Sequence, residues 1–223
     1  GGGSGLGIAS LLNGTADIAN TSRRINDKEL ALFREKGIAL DSFIFAQDAI
    51  AFIVADDLPL ESISTQQLAD VLSGKVRNWE QITGKRLPVN IYGRQSNSGT
   101  HDFVKDRLHI SFSPRAKQMN GNAQILEAIR ADHSGIGYVG AGYVIHGATK
   151  GIKVLSVYTT DKGAAVSPLD AGEIAAGKYF FQRPLFQYFR TKDSMQIQPF
   201  IAFEQSSEGQ KIIHVGGYYP AKR

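Results

Sequence analysis

The stretch GRQSNSGTHDF, residues 93–103, places Arg94 four residues ahead of Ser98-Gly99-Thr100 and then runs into a predicted helix, THDFVKDRL. The first turn of a helix carries backbone N–H groups without intrahelical partners, and the macrodipole adds partial positive charge there. Two hydroxyls and a glycine at such a helix mouth would extend a cluster of donors shaped for an anion. A guanidinium supplies a bidentate fork that matches a tetrahedral oxyanion or a carboxylate. The same residues are also ordinary helix caps and turn formers. On this stretch alone both readings stay open.

The remaining chemistry-bearing residues are sparse. There is no cysteine, so a disulfide framework and a thiolate metal site are excluded. The histidines, His101, His109, His133, His146 and His214, are scattered without ligand spacing and read as surface or supporting residues. His101 directly follows Thr100 and is the one placed to influence an anion's protonation. GGGSG at the start is not a phosphate-binding P-loop, because no Lys-Ser/Thr follows at the required spacing. Ser4 also lacks a Gly-x-Ser-x-Gly setting, since position 6 is Leu. No enzyme signature emerges, and no cofactor is expected.

Composition sets the outer bounds. The 223 residues, 42% hydrophobic, suffice for a sizeable core in one large domain or two small ones. The net charge of +4 is spread along the chain, which suits a small anion as well as a nucleic acid. A nucleic-acid binder would show a concentrated Lys/Arg stripe interleaved with stacking aromatics; none occurs, and Trp79 in RNWEQI reads as packing. The longest apolar runs, such as AIAFIVA, have the length of buried strands, so no membrane-spanning segment is expected.

The elements that must hold the motif follow from periodicity. A Gly/Ser linker accounts for GGGSG by composition, but LGIASLLNG, with Leu6, Ile8, Leu11 and Leu12 spaced like a short helix with an apolar face and Gly14 as terminator, predicts a short helix instead. ADIANTSR reads as a short buried strand. NDKELALFREKG reads as a helix capped by Asn26 or Asp27 and closed at Gly37. DSFIFAQDAIAFIVA is the most strand-like region, interrupted by Gln47-Asp48. Then come a helix from Ser64 or Thr65 to Gly74, the strand VNIYGR, the helix at the motif, a helix over residues 122–133 and the strand GIGYVGAGYV. The last third predicts a strand IKVLSVY, a short helix at LDAGEIAAG, a strand near PLFQYF and one long helix over residues 196–213. This alternation predicts an α/β fold with parallel or mixed sheets. The polar break at Gln47-Asp48 and the glycine-spaced GIGYVGAGY look like crossings between two lobes. The first lobe is expected at residues 1–50 plus 142–223 and the second at 51–141, with the ligand in a cleft between them.

The segments GGGSGLGI, ADIANTSR, SGKVRNWEQITGK with GRQSNSGT, IGYVGAGY and the closing SSEGQKIIHVGGYYP together resemble the PstS-like phosphate-binding proteins of ABC transporters, a branch of the periplasmic solute-binding superfamily. They occur in that family's order along essentially the whole chain. The resemblance implies a two-lobed α/β fold that binds inorganic phosphate without a metal and delivers it to an ABC transporter permease, in the periplasm or at the cell surface. Position by position, Arg94, Ser98, Gly99 and Thr100 match the family's phosphate motif in one lobe, and Ser4 matches a serine donor of the other. Ser22 falls where some members have an aspartate, and Asp48 looks like the substitute acceptor. Asp17 and Asp102 read instead as a strand-packing residue with a local turn bond and as favourable charge in a first helical turn.

The family's usual first strand, Ser/Thr-rich phosphate loop and helix have no counterpart ahead of GGGSG. The first lobe is therefore expected to expose apolar surface and a strand edge, and to self-associate through them. The same ligand chemistry would serve a phosphate-sensing or extracellular interaction domain; a phosphate-ester enzyme is the weaker alternative.

Overall fold

The computed structural model describes residues 3–145, 149–159 and 163–221. His146 lies outside the described residues. In chain order the elements are α1 (Ser4–Leu12), β1 (Ile18–Thr21), α2 (Asp27–Glu35), β2 (Leu40–Ala55), β3 (Ser62–Ser64), α3 (Thr65–Leu72), α4 (Glu80–Thr83), β4 (Asn90–Arg94) and α5 (Gly99–Leu108). There follow β5 (Lys117–Met119), α6 (Asn122–Ala131), β6 (Gly135–Gly140), α7 (Gly142–Ile145), β7 (Ile152–Tyr158), α8 (Ala171–Ala175), β8 (Gln182–Arg190), a 3-10 turn at Thr191–Asp193, α9 (Ser194–Gln205), α10 (Ser207–Val215) and β9 (Tyr219–Pro220). The chain divides into two compact units: Gly1–Asp48, Asn97–Asp102 and Arg183–Arg223 form the first, Ala49–Ser96 and Phe103–Gln182 the second.

In the first unit β1 runs antiparallel to β8, from Ile18 opposite Phe189 to Thr21 opposite Phe186. Strand β2 lies on the other side of β8 and carries β9 against Ala46 and Gln47. The period of two along these strands sorts their side chains onto two faces. Ala19, Phe186 and Tyr188 pack with Ile8 and Leu11 of α1 and Phe33 of α2. Ile18 and Phe189 pack with Phe43 and with Ile197 and Ile201 of α9. Helix α2 begins with a reciprocal capping box, in which Asn26 Oδ1 accepts from Glu29 N at 2.9 Å and Glu29 Oε2 accepts from Asn26 N at 3.0 Å.

In the second unit the later half of β2 sits between antiparallel β6 and β7, while β4 runs parallel to both β6 and β5, and β3 parallel to β7. Its largely aliphatic core contains aromatic pairs: Phe52 meets Phe181 edge-on at 4.7 Å, and Phe112 stacks on Tyr138 at 5.5 Å. Trp79 is fully buried and donates from Nε1 to Ser134 O at 2.9 Å.

Several expected boundaries are corrected. Residues 142–182, expected in the first lobe, group with the second unit, because β7 pairs there with β2 and β3. Residues 97–102, expected in the second lobe, group with the first unit. GIGYVGAGY marks no crossing; the chain returns at Gln182–Arg183. Its glycines serve close packing: a Cβ on Gly137 would lie 2.5 Å from Ile125 Cγ2 of α6, and one on Gly135 would lie 2.9 Å from Ile129 Cδ1. The polar Gln47-Asp48 pair does not break the strand, which runs unbroken through β2 as the chain leaves the first unit after Asp48. The single long C-terminal helix is two, since Ser206 is extended and accepts from Gly209 N at 3.2 Å as the cap of α10.

Candidate functional site

Two helix N-termini meet in the first unit. Gly3, which caps α1, has no room for a side chain: a Cβ there would lie 2.3 Å from Asn97 O. At the start of α5 a Cβ on Gly99 would lie 2.4 Å from both Ser4 Oγ and Ser22 Oγ. Glycine at these two positions is thus what lets the GGGSG and SGT segments approach backbone to backbone. Ser4, Ser98 and Thr100 are all buried.

The hydroxyls share one hydrogen-bond pattern. Ser4 Oγ accepts from Ser22 N at 3.1 Å and lies 3.3 Å from Ser22 Oγ. Ser98 Oγ accepts from Thr100 N at 3.2 Å. Thr100 Oγ1 accepts from Arg183 Nη2 at 2.8 Å. A hydroxyl has one proton to donate, and in each case a protein N–H already occupies the acceptor side. The O–H protons of Ser98 and Thr100 have no protein acceptor among the described residues.

Arg183 is the residue that sequence reading missed. It is 4% exposed and stands at the head of the apolar strand β8. Its Nε and Nη2 donate to Asp48 Oδ2 at 3.1 and 2.9 Å, and its Nη1 donates to Gly99 O at 3.0 Å. Asp48, 3% exposed, is therefore the counter-ion of a buried guanidinium beside the motif. The available signal was a lone arginine, Arg183-Pro184, opening a strand whose other buried positions are apolar except for Gln187.

The other first-unit candidates are engaged in ion pairs. Arg23, adjacent to Ser22, forks onto Glu29 at 2.8 Å through each Nη and places its Nε 3.1 Å from Asp102 Oδ2. The Glu29 hydrogen bond, outweighing desolvation, raises the Arg23 pKa. Asp102 thus serves as a partner for Arg23 as well as first-turn charge. His101 Nδ1 lies 3.4 Å from Asp102 Oδ1. Asp17, read as strand packing, is exposed and pairs with Arg190 Nη2 at 2.7 Å.

Arg94 belongs to the second unit, at the end of β4. Its backbone N donates to Tyr138 Oη at 3.2 Å and its Nη1 to Asn122 Oδ1 at 3.2 Å. Among the described residues no group of three or more His, Asp or Glu side chains could hold a metal ion. No helix there is long and apolar enough to cross a membrane.

An α/β chain in two discontinuous units, with hydroxyl donors gathered at paired helix mouths, defines the class of the periplasmic-binding-protein-like folds. A family model described as a PBP superfamily domain matches residues 1–208, and the chain belongs to that superfamily. Within it, the chain resembles the PstS-like proteins across almost its whole length. It is 29% identical over 230 residues to the phosphate-binding protein PstS of Borreliella burgdorferi, covering 99% of this chain and 78% of that protein. It is 28% identical to PstS of Pseudomonas aeruginosa, covering 98% and 72%. Among solved structures, a putative phosphate ABC transporter substrate-binding protein with bound phosphate from Clostridium perfringens superposes with a TM-score of 0.84 at 22% identity, covering 99% of this chain and 85% of that one. An ABC-type phosphate transport receptor from Vibrio cholerae gives 0.76 at 25% identity, covering 99% and 86%.

Proposed function

We propose that this chain binds inorganic phosphate through Ser4, Ser22, Ser98, Gly99 and Thr100 and hands it to an ABC transporter permease, in the periplasm or at the cell surface. The observation that carries this reading is the shared hydroxyl pattern: Ser98 and Thr100 each accept from a fixed N–H and so have a proton to give, and Ser4 and Ser22, linked to each other, have one between them to spare. Such a cluster at helix N-termini complements an oxyanion and offers nothing to a cation. Arg94 enters the proposal as a further donor on the strength of its spacing from Ser98-Gly99-Thr100 in the sequence. Asp48 enters as the acceptor for the proton of hydrogen phosphate, its carboxylate held by Arg183. A carboxylate has acceptor capacity beyond one guanidinium contact, and sulfate has no proton to offer it. The names of the relatives, phosphate-binding proteins and phosphate transport receptors, point the same way.

Calorimetric titration of phosphate, arsenate and sulfate into the protein tests this. Phosphate and arsenate are expected to bind with sulfate at least about tenfold weaker, the scale set by one unpaired buried polar group. Absence of phosphate binding, or equal affinity for sulfate, refutes the reading. Arg94→Ala is expected to weaken phosphate and sulfate together, whereas Asp48→Asn narrows the gap between them. Self-association of the first unit is part of the proposal, supported by Phe200 and Phe203 of α9 and Ile212 and Val215 of α10, all exposed. Sedimentation across a concentration series checks it, and a monomer at every concentration refutes it.

A further inference from the structure

We propose that Arg183 is a positioning residue for anion binding, acting through Thr100 and the first turn of α5 instead of through its own charge. This rests on the phosphate reading above and concerns how the same site is set. The guanidinium spends its donors on three targets: Asp48 Oδ2, Gly99 O and Thr100 Oγ1. Its charge is matched by Asp48, with both side chains 4% exposed, so the pair presents little net field to a ligand. Its geometric effect is large by comparison. A guanidinium cannot accept a hydrogen bond, so Thr100 must receive at Oγ1 and can turn its own proton only elsewhere. The Nη1 bond to Gly99 O fixes the backbone of the turn that carries Thr100, at the place where Gly99 lies beneath Ser4 and Ser22. One buried side chain thus orients a donor hydroxyl and holds the loop that brings the two helix mouths together. Pre-set donors lose less freedom when a ligand arrives than donors that must first be ordered.

The role separates from a merely structural one by coupling and by charge. Arg183→Lys keeps the charge but loses the planar fork. Calorimetry with inorganic phosphate would compare the unaltered protein, Arg183→Lys, Thr100→Val and the double variant, with urea unfolding of each in parallel. Arg183→Lys is expected to weaken phosphate roughly tenfold, and to weaken it by less than about threefold once Thr100 is already Val. Losses that multiply independently, or full affinity retained by Arg183→Lys, overturn the proposal. Should Arg183→Lys not fold, Thr100→Val and Thr100→Ser in the presence of native Arg183 decide it. Thr100→Ser, which retains the oriented hydroxyl, should bind phosphate within about threefold of the unaltered protein, and Thr100→Val at least about tenfold more weakly. Equal affinity for those two variants overturns it. Failure of the unaltered protein to bind phosphate would instead refute the underlying reading, an outcome distinct from binding without coupling.

Discussion

Gly99 has two hydroxyl oxygens 2.4 Å from where its Cβ would be, and one of them, Ser4 Oγ, cannot withdraw without breaking its bond from Ser22 N. Overpacking of this kind costs about 1–3 kcal/mol, or a tenfold to hundredfold loss if it falls on binding. Gly99→Ala is therefore expected to weaken phosphate by at least about tenfold in calorimetry; unchanged affinity would show that the helix mouths need not meet so closely. The pairing of Asp48 with Arg183 makes a second residue-level prediction. Removing one partner of a buried pair costs about 3–5 kcal/mol, because the other charge is left buried. Asp48→Asn is expected to lower the unfolding free energy obtained from urea titration by an amount in that range, and a loss below about 1 kcal/mol would show that the guanidinium finds compensation elsewhere. At this scale the motif residues stood out in the sequence because their types and spacing suggest anion chemistry. Arg183 was not, since its partners Asp48 and Thr100 stand 135 and 83 positions away and nothing local in QRPLFQYF points to either.

Element ends were the most readable feature of the sequence, since caps and terminators act over three or four residues. Asn26 and Gly37 bound α2, and Ser64 and Gly74 bound α3, with both glycines in the left-handed region at φ 64° and 80°. Loss of the cap in Asn26→Ala is expected to cost about 1 kcal/mol in urea unfolding. What sequence did not disclose was which face of an element a glycine serves. Gly135 and Gly137 looked like a crossing point because close packing of α6 on β6 leaves the same signature as a bend. Gly209 likewise passed for an ordinary helical residue, although a Cβ there would strike Phe203 O at 2.2 Å. A network between β4 and the turn before β6 gives the fold a pH signature. Burial alone would raise the Asp132 carboxyl, but hydrogen bonds from Ser134, Tyr92 and Asn90 outweigh it and bring the pKa down to about 2. The folded pKa is depressed, so the stabilisation is present above the ordinary carboxylate range and is lost as pH falls from about 4 toward 2. Urea midpoints of the native protein and Asp132→Asn should differ at pH 7 and converge near pH 2; a constant difference would mean that the carboxyl is not the cause.

For the molecule as a whole, a ligand that binds the folded chain and not the unfolded one raises stability by mass action. At a hundredfold excess over Kd this amounts to about 2.7 kcal/mol, or roughly 5–10 °C for a chain of this size. Phosphate is expected to shift the melting temperature by that much, and sulfate at the same concentration by less; equal shifts would point to a general salt effect. The α/β class was legible from alternation alone, whereas the allotment of residues 97–102 and 142–182 was not, because strand pairing across distant segments leaves no local trace. That long-range pairing bears on how the protein is made. Strand β1 takes its place beside β8, whose residues emerge roughly 170 positions later. At ordinary rates of synthesis this interval is on the order of ten to thirty seconds, during which Ile18 to Thr21 have no partner strand to meet. The contiguous stretch 103–182 of the second unit is finished before the first unit can begin to close its sheet. Ser4 and Ser22, proposed above to bind phosphate, thus leave the ribosome early, yet their surroundings are assembled last, when Arg183 arrives.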